Sequence, residues 1–201
     1  FVDMSATYTL YWTVTNCTFK GNTATGNGGV ATITAGSSGS SILNAQITDV
    51  VSDSNKAQGG GGFLYVDPSA ASTLNIHLNN LTLWNGGDSA LLNYKHAAST
   101  QLNLVVDGSQ FYSNSGSKYG GLINLTQPMS LSTGNMNVSV SLSNSKFTNN
   151  SVSPDGSLLT FAGYDNSVLS MSAINNTFAN NSATSSGGIF SIQAGKSNNI
   201  T

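Results

Sequence analysis

Short stretches in which apolar and polar residues alternate recur along the whole chain, roughly once every thirty residues. One set follows a pair of small residues, and its second and fourth positions are apolar in nearly every copy. These stretches are 30–34, 63–67, 91–95, 122–126, 158–162 and 189–193. A period of two places every other side chain on one face, so each stretch is predicted to be a half-buried β-strand.

A second set of alternating stretches lies just upstream of a short aromatic motif. Nine, seven and five residues before the motif, the positions are mostly apolar, with Thr, Asn, Ser or His between them. The triplets are Leu10/Trp12/Val14, Ser41/Leu43/Ala45, Leu74/Ile76/Leu78, Leu102/Leu104/Val106, Val138/Val140/Leu142 and Leu169/Met171/Ala173. They predict a second strand in each repeat.

The motif itself is a Phe followed three residues later by an Asn. Its segment TFKGNTATGNGG at 18–29 returns without a gap as TFANNSATSSGG at 177–188. The clean copies are Phe19/Asn22, Phe111/Asn114, Phe147/Asn150 and Phe178/Asn181, and degenerate copies are assigned to Val50/Asp53 and Leu83/Gly86. A unit repeated at such a spacing is typical of a solenoid.

The repeat predicts an all-β fold, a parallel β-helix of about six coils that covers 1–201 as a single segment. A propeller blade needs about four strands and ~40 residues, and a leucine-rich repeat needs a leucine ladder, so neither fits. In a β-helix the Phe residues stack inward, the Asn residues occupy a left-handed corner and bond along a ladder, and the small pairs give the chain room to turn. Because neither end carries a polar cap, we expect an excerpt of a longer solenoid or a unit that stacks end to end.

The composition agrees with this fold and argues against several functions. The net charge is −2, only 7% of residues are charged, and Glu and Arg are absent. This composition disfavours helices and offers no basic surface to nucleic acid or anionic lipid, and no apolar run is long enough for a membrane span. Cys17 is the single cysteine, which excludes an internal disulfide, and its place two residues before an inward Phe predicts a buried thiol.

Catalysis is not predicted. All eight acidic residues are Asp, and Asp49 and Asp53 are the only close pair. Since Asp53 is assigned to the corner position that Asn holds in other coils, a structural role is favoured. His77 and His96 show neither a Ser–His–Asp order nor the spacing of metal ligands. We therefore predict a protein that is not an enzyme and needs no cofactor, with a carbohydrate-active β-helix enzyme as an alternative.

The repeat resembles that of the chlamydial polymorphic outer-membrane proteins, in which an F-x-x-N motif alternates with a G-G-A-[ILV] motif, and is similar to repeats in β-helical surface proteins of protists and algae. The resemblance covers nearly the whole chain. It implies a right-handed β-helix on a cell surface, used for adhesion or structure. The chain departs from that pattern after the small pair, where the family prefers Ala and this sequence has Val, Phe, Leu or Ile.

Acceptor sequences for N-glycosylation are numerous, but a chain this rich in Asn, Ser and Thr forms them by chance as well. Their positions say more than their number, because several share a column of the predicted solenoid and point outward. The candidate acceptors are Asn16, Asn80, Asn124, Asn137, Asn149, Asn175, Asn180 and Asn199. They favour rows of glycans on a secreted eukaryotic protein.

The residue after each small pair forms one more column. Strict alternation from an inward small residue would place this column outside, as an apolar contact row for a partner. A bend after the small pair would instead turn the same residues into the core, and this second interpretation is slightly favoured. The candidate contact row is Val30, Phe63, Leu91, Leu122, Leu158 and Ile189.

Taken together, these patterns favour an extracellular structural glycoprotein, a rigid rod of a cell-surface stem or fibril. Its expected partners are further coils of the same solenoid, other copies of the chain or other surface proteins, together with covalent N-glycans; nucleic acid and a membrane span in this segment are not expected. A bacterial autotransporter-type adhesin passenger is the main alternative.

Overall fold

The protein, represented by a computed structural model, is an all-β solenoid of stacked parallel strands. The structure describes residues 2–4, 9–35, 40–68, 72–87, 91–95, 99–116, 121–126, 135–152, 158–163, 166–184, 188–194 and 199–201, with the backbone alone described at 2–4, 35, 95, 194 and 199. The predicted parallel β-helix is therefore confirmed, and within these ranges no residue is helical.

One side of the solenoid is a seven-stranded sheet in which every strand pairs in parallel with its counterpart in the next coil. Its strands are β1 (Val2–Met4), β5 (Ala31–Ala35), β8 (Leu64–Pro68), β10 (Leu92–Lys95), β14 (Ile123–Thr126), β18 (Leu159–Gly163) and β22 (Phe190–Ala194). From β5 onward, the six strands match the six stretches predicted after the small pairs.

The other side is an eleven-stranded sheet, called the long sheet below, which bends at a corner. Before the corner lie β2 (Thr9–Thr15), β11 (Thr100–Asp107), β15 (Met136–Ser143), β19 (Val168–Ile174) and β23 (Asn199–Ile200); after it lie β3 (Thr18–Lys20), β12 (Gln110–Tyr112), β16 (Lys146–Thr148) and β20 (Thr177–Ala179). The strands β6 (Ser41–Asp53) and β9 (Ser72–Trp84) run through the corner. Short strands complete the coils: β4 (Thr23–Ala24), β7 (Lys56–Ala57), β13 (Ser115–Gly116), β17 (Ser151–Val152) and β21 (Ser182–Ala183).

In the second coil, the observed strand pairing differs from the predicted pairing by two residues. Leu10 pairs with Leu43, and Phe19 pairs with Ser52 rather than lying level with Val50. The inward triplet of this coil is therefore Leu43, Ala45 and Ile47, each buried. The prediction placed an apolar residue at the Phe position. Ser52 is buried there instead, and its hydroxyl accepts a hydrogen bond from Asn55 Nδ2.

The Phe column lies inside the solenoid, as predicted, but it is continuous only in the later coils. The rings of Phe111 and Phe147 stack at 4.9 Å, and those of Phe147 and Phe178 stack at the same distance. Phe19 has no Phe beside it in the column and meets Phe63 edge to face at 6.3 Å. In register, the column is Phe19, Ser52, Leu83, Phe111, Phe147 and Phe178.

The Asn residues of the motif form an internal ladder. Asn150 Nδ2 donates to the carbonyl of Phe111 in the preceding coil, and Asn150 Oδ1 accepts from both the backbone N–H and Nδ2 of Asn114. The same pattern links Asn181 to Asn150, and Asn55 to Asn22. Asn55, not Asp53, is thus the ladder residue of the second coil. In the third coil, where Gly86 replaces Asn, Asn114 Oδ1 accepts from the Gly86 N–H.

Two corner columns have positive φ, but the ladder residues do not belong to them, which corrects the expectation that the ladder Asn is left-handed. The left-handed residue is the one directly before the ladder position, for example Asn149 at φ 54°. The first corner column is Asn16, Asp49, Asn80, Gly108, Asn144 and Asn175; the second is Gly21, Ser54, Asn85, Ser113, Asn149 and Asn180. Asn and Gly suit these corners because they tolerate the left-handed region better than other residues.

The candidate contact row lies in the core, so the favoured interpretation, a bend after the small pair, is confirmed and the outer-surface interpretation is wrong. Phe63, Leu91, Leu122 and Leu158 are buried, and Val30 and Ile189 pack against the core while partly exposed. The reason is that two successive residues face inward after the small pair, as at Leu91 and Leu92, so strict alternation stops at this bend. Gly28 and Gly61 make the bend at φ 69° and 71°.

Cys17 points toward the core but is only partly buried. Its Sγ donates to the Thr15 carbonyl at 3.3 Å. Cys17 lies in the first coil, and among the described residues only the second coil packs against it. Leu81 holds the same position in the third coil, between two neighbouring coils, and is fully buried. The prediction of a thiol that points into the core is confirmed, and the thiol is partly buried there.

We expect the stability of the fold to fall at alkaline pH through Tyr94. This side chain is fully buried, its hydroxyl bonds to that of Thr100, and burial raises the pKa of Tyr94 well above its ordinary value. In the unfolded chain the phenol ionises near pH ~10, so the stabilisation is complete below that pH and is lost as the pH rises above it. Urea denaturation between about pH 8 and 11 should show this loss, with a weaker pH dependence in Tyr94→Phe. Tyr11→Phe, at a 77% exposed position, is the control, and an unchanged slope in Tyr94→Phe would contradict the assignment.

Candidate functional site

The outer face of the long sheet, before the corner, is an ordered surface of amide and hydroxyl groups. Its centre is a second ladder, in which Asn103 Nδ2 donates to Asn75 Oδ1 at 2.7 Å and Asn75 Nδ2 donates to Asn44 Oδ1 at 2.9 Å. In the first coil Tyr11 pairs with Asn44 and continues this column, and its side chain is 77% exposed. This outer ladder was not predicted from the sequence, because outward Asn residues in strands carry no motif of their own.

Two grooves lie on this face, one on each side of the outer Asn ladder. The groove toward the strand starts has a volume of about 440 Å³ and includes Ile42, Thr73, Gln101 and Asn137. The groove toward the corner, called the corner groove below, has a volume of about 520 Å³. Its lining residues are Gln46, Thr48, His77, Leu78, Asn79, Val105, Asp107 and Ser143. Both grooves cross the strands β6, β9, β11 and β15 and so run along the solenoid axis.

Among the described residues that line the corner groove, Asp107 is the one carboxylate. Ser143 Oγ donates to its Oδ1 at 2.6 Å and Asn144 Nδ2 donates to the same atom at 2.8 Å. These hydrogen bonds hold the pKa of the Asp107 carboxyl below its ordinary value, because they favour the charged form. The carboxylate is therefore ionised and fixed in place at neutral pH.

Asp49 and Asp53, close in sequence, serve different parts of the fold. Asp49 lies at the first corner and accepts a hydrogen bond from Asn80 Nδ2. Asp53 lies on the strand after the corner, where a hydrogen bond from Ser54 and a salt bridge at 3.2 Å with Lys20 keep the pKa of its carboxyl below the ordinary value. Each carboxylate has a structural partner, and the lowered pKa of Asp53 is the opposite of what a general acid requires.

Beside Asp53 in register lies an aromatic pair that the sequence analysis did not identify. Asp53 pairs with Trp84 and Trp84 with Tyr112, and the two rings meet edge to face at 5.0 Å. Both side chains point outward and are half-buried. The pair becomes visible only once the strand register is known, because its members belong to different coils.

The candidate glycan acceptors fall into distinct environments. Asn16, Asn80 and Asn175 lie at the first corner, Asn149 and Asn180 at the second, and all five are exposed. Asn137 is exposed on β15, within the groove toward the strand starts. Asn199 begins β23, and the structure describes its backbone alone.

Asn124 differs from the other acceptors because it is only 3% exposed. Its Nδ2 donates to Asn93 Oδ1 at 3.0 Å, in a column of the seven-stranded sheet that is buried from Tyr65 to Thr160. A glycan cannot be accommodated at this nitrogen in the folded chain. The burial of Asn124 therefore contradicts its choice as a candidate acceptor.

The described residues contain no group of three or more His, Cys, Asp or Glu side chains that could hold a metal ion. His77 is exposed at the corner groove, and His96 lies outside the described residues. Within the same ranges, no helix has the length and hydropathy needed to cross a membrane.

Comparison of the chain with protein-family models, with curated proteins and with solved structures finds no match. The likeness to the chlamydial repeat therefore stays a prediction that these comparisons do not test, and the function has to be argued from the geometry of the solenoid.

Proposed function

We propose that the chain is a structural extracellular glycoprotein, a non-enzymatic rod segment of a cell-surface stem or fibril. The observation that carries the proposal is the continuity of the columns. The Phe position, the inner Asn ladder and both left-handed corners stay in register from the coil of Phe19 to that of Phe178. A repeat of this kind serves length and stiffness, because each coil covers the apolar face of the one before.

The chemistry of the surface supports the same proposal. With a net charge of −2 and 7% charged residues, the rod carries little charge to repel neighbouring chains. Its partners in this proposal are further coils of its own solenoid, other copies of the chain or other surface proteins, and its secretion would allow N-glycans to be attached at the corners. At Asn80 and Asn175 one amide N–H bonds to the neighbouring corner residue, and a glycosylated amide keeps one N–H with which to do so.

We expect glycans at the exposed corner acceptors of the natively isolated protein and none at Asn124. The attaching enzyme needs an accessible Asn side chain, which the corners offer and the buried column does not. The measurement is intact mass before and after enzymatic removal of N-glycans, followed by mapping of the modified sites. In secreted protein, Asn80→Gln should remove the mass of one glycan, whereas Asn124→Gln, the matched control, should leave the glycan mass unchanged.

The mass experiment also separates the alternatives. A protein with a backbone well above 20.7 kDa that loses several glycans supports the glycosylated rod. A large backbone without glycans would instead support the alternative, a bacterial adhesin passenger. Turnover of a polysaccharide by the purified chain would contradict the non-enzymatic role.

A further inference from the structure

The corner groove has features that a rod segment does not require. Its walls come from two adjacent rows of outward side chains on β6, β9, β11 and β15, and it keeps a volume of about 520 Å³. Four strands at the usual spacing of about 4.8 Å give it a length of roughly 14 Å along the axis. That length accommodates a short stretch of an extended polymer.

The groove combines an apolar patch with neutral hydrogen-bonding groups. In the row Gln46, His77 and Val105, two long polar side chains are followed by a short apolar one, so Val105 offers the groove an apolar contact. The neighbouring row supplies the amide of Asn79 and the carboxylate of Asp107. Asp107 is held by two side-chain donors that both use Oδ1, so among the described residues no side chain donates to Oδ2.

The charge of the groove selects the class of ligand. No Lys is among the described residues that line it, and the chain has no Arg, so Asp107 is the one acidic side chain in this lining and no Lys or Arg balances it. An acidic polymer would meet the Asp107 carboxylate without a compensating cation. A neutral sugar chain fits better, because its hydroxyls both donate and accept and its C–H faces can cover Val105.

We propose that the corner groove binds a neutral linear polysaccharide, which lies extended along the solenoid axis. Asp107 Oδ2 accepts from sugar hydroxyls, the amides of Gln46 and Asn79 and the imidazole of His77 bond to hydroxyls along the chain, and Val105 contacts a sugar ring. The proposal concerns binding only and holds whether or not the chain is a rod segment, so the two can fail separately.

The test uses the chain after enzymatic removal of its N-glycans, so that its own sugars do not compete. The probes are hexasaccharides of β-1,4-linked glucose, N-acetylglucosamine and mannose, with oligogalacturonate as the acidic probe. Titrations followed by calorimetry and by backbone amide NMR should show saturable binding of at least one neutral probe, with shifts at Gln46, His77 and Val105. No binding of any neutral hexasaccharide, or tighter binding of oligogalacturonate, would overturn the proposal.

Two matched variants locate the site. Val105→Tyr fills the groove from an outward position and should weaken binding about tenfold or more. Ser172→Tyr introduces the same side chain in the same outward row, on β19 and outside the groove lining, and should leave the affinity unchanged. Equal affinities for the two variants would place the sugar elsewhere and contradict the assignment.

Discussion

Replacement of Asn150 by Ala is expected to lower the free energy of unfolding by about 3–5 kcal/mol, since two or three buried groups each lose a partner worth roughly 1–3 kcal/mol. Asn150 is completely buried. Its loss removes the acceptor of the Asn114 backbone N–H and the donor to the Phe111 carbonyl. Ala is too small to fill the space, and no side chain of the described residues replaces either bond. Urea denaturation followed by circular dichroism measures the change.

Two further variants separate the ladder from a general loss of packing. Asn22→Ala changes the same column in the first coil, where the side chain is exposed, and should cost less than about 1 kcal/mol. Asn150→Asp keeps the acceptor for Asn114 but places a carboxylate against the Phe111 carbonyl, so its pKa should rise in the folded state. This variant should be most stable below about pH 4, the ordinary pKa of Asp, and should lose stability as the pH rises. Similar losses for Asn22→Ala and Asn150→Ala would show that the ladder is not the cause.

The ladder explains why the β-helix could be predicted from the sequence. Its Asn residues and the Phe residues beside them interact with their own counterparts in the next coil, so selection for stacking leaves a visible repeat. The alternation of β11 and β15 is equally regular, with every inward residue buried. Where every coil places the same residue types at the same positions, the periodicity of the sequence is enough to predict the fold.

The prediction failed where a coil uses different chemistry at the same place. Ser52 was missed because its hydroxyl, bonded to Asn55, fills a position held elsewhere by Phe or Leu. The error moved Asp53 into the ladder, although it lies on the outside with Lys20. For the candidate contact row, the favoured interpretation was right and the outer-surface alternative failed for a geometric reason, since a bend can turn two successive residues inward and alternation then stops.

The candidate site could not be predicted because it exists only across coils. Gln46, His77 and Val105 are about thirty residues apart and become one row through strand pairing. The same holds for Trp84 and Tyr112, whose contact depends on the register between β9 and β12. The repeat of a solenoid shows how many positions each coil has, but it does not fix which residues of neighbouring coils pair. A one-residue error in register changes which side chains share a face.

Replacement of Phe147 by Ala is the second large effect that we expect, with a loss of about 3–5 kcal/mol in the free energy of unfolding. The ring is buried and stacks at 4.9 Å on Phe111 on one side and on Phe178 on the other. Its removal leaves a cavity between two rings that the stacked strands hold apart, so the coil cannot collapse to fill it. The measurement is again urea denaturation, with hydrogen exchange of the amides of β12, β16 and β20 to locate the loosened region.

Two other substitutions in the Phe column separate the contribution of ring stacking to this loss of stability from that of the lost volume. Phe147→Leu keeps most of the volume and imitates Leu83, which occupies the column in the third coil, so its cost isolates the two stacking contacts at about 0.5–1.5 kcal/mol each. Phe178→Ala removes a half-buried ring with one stacked Phe neighbour and should cost less than Phe147→Ala. If Phe147→Ala costs less than about 1 kcal/mol, the coils can close over the missing ring. The Phe column would then be a by-product of the repeat, because the backbone ladders and the Asn ladder alone would hold the coils together.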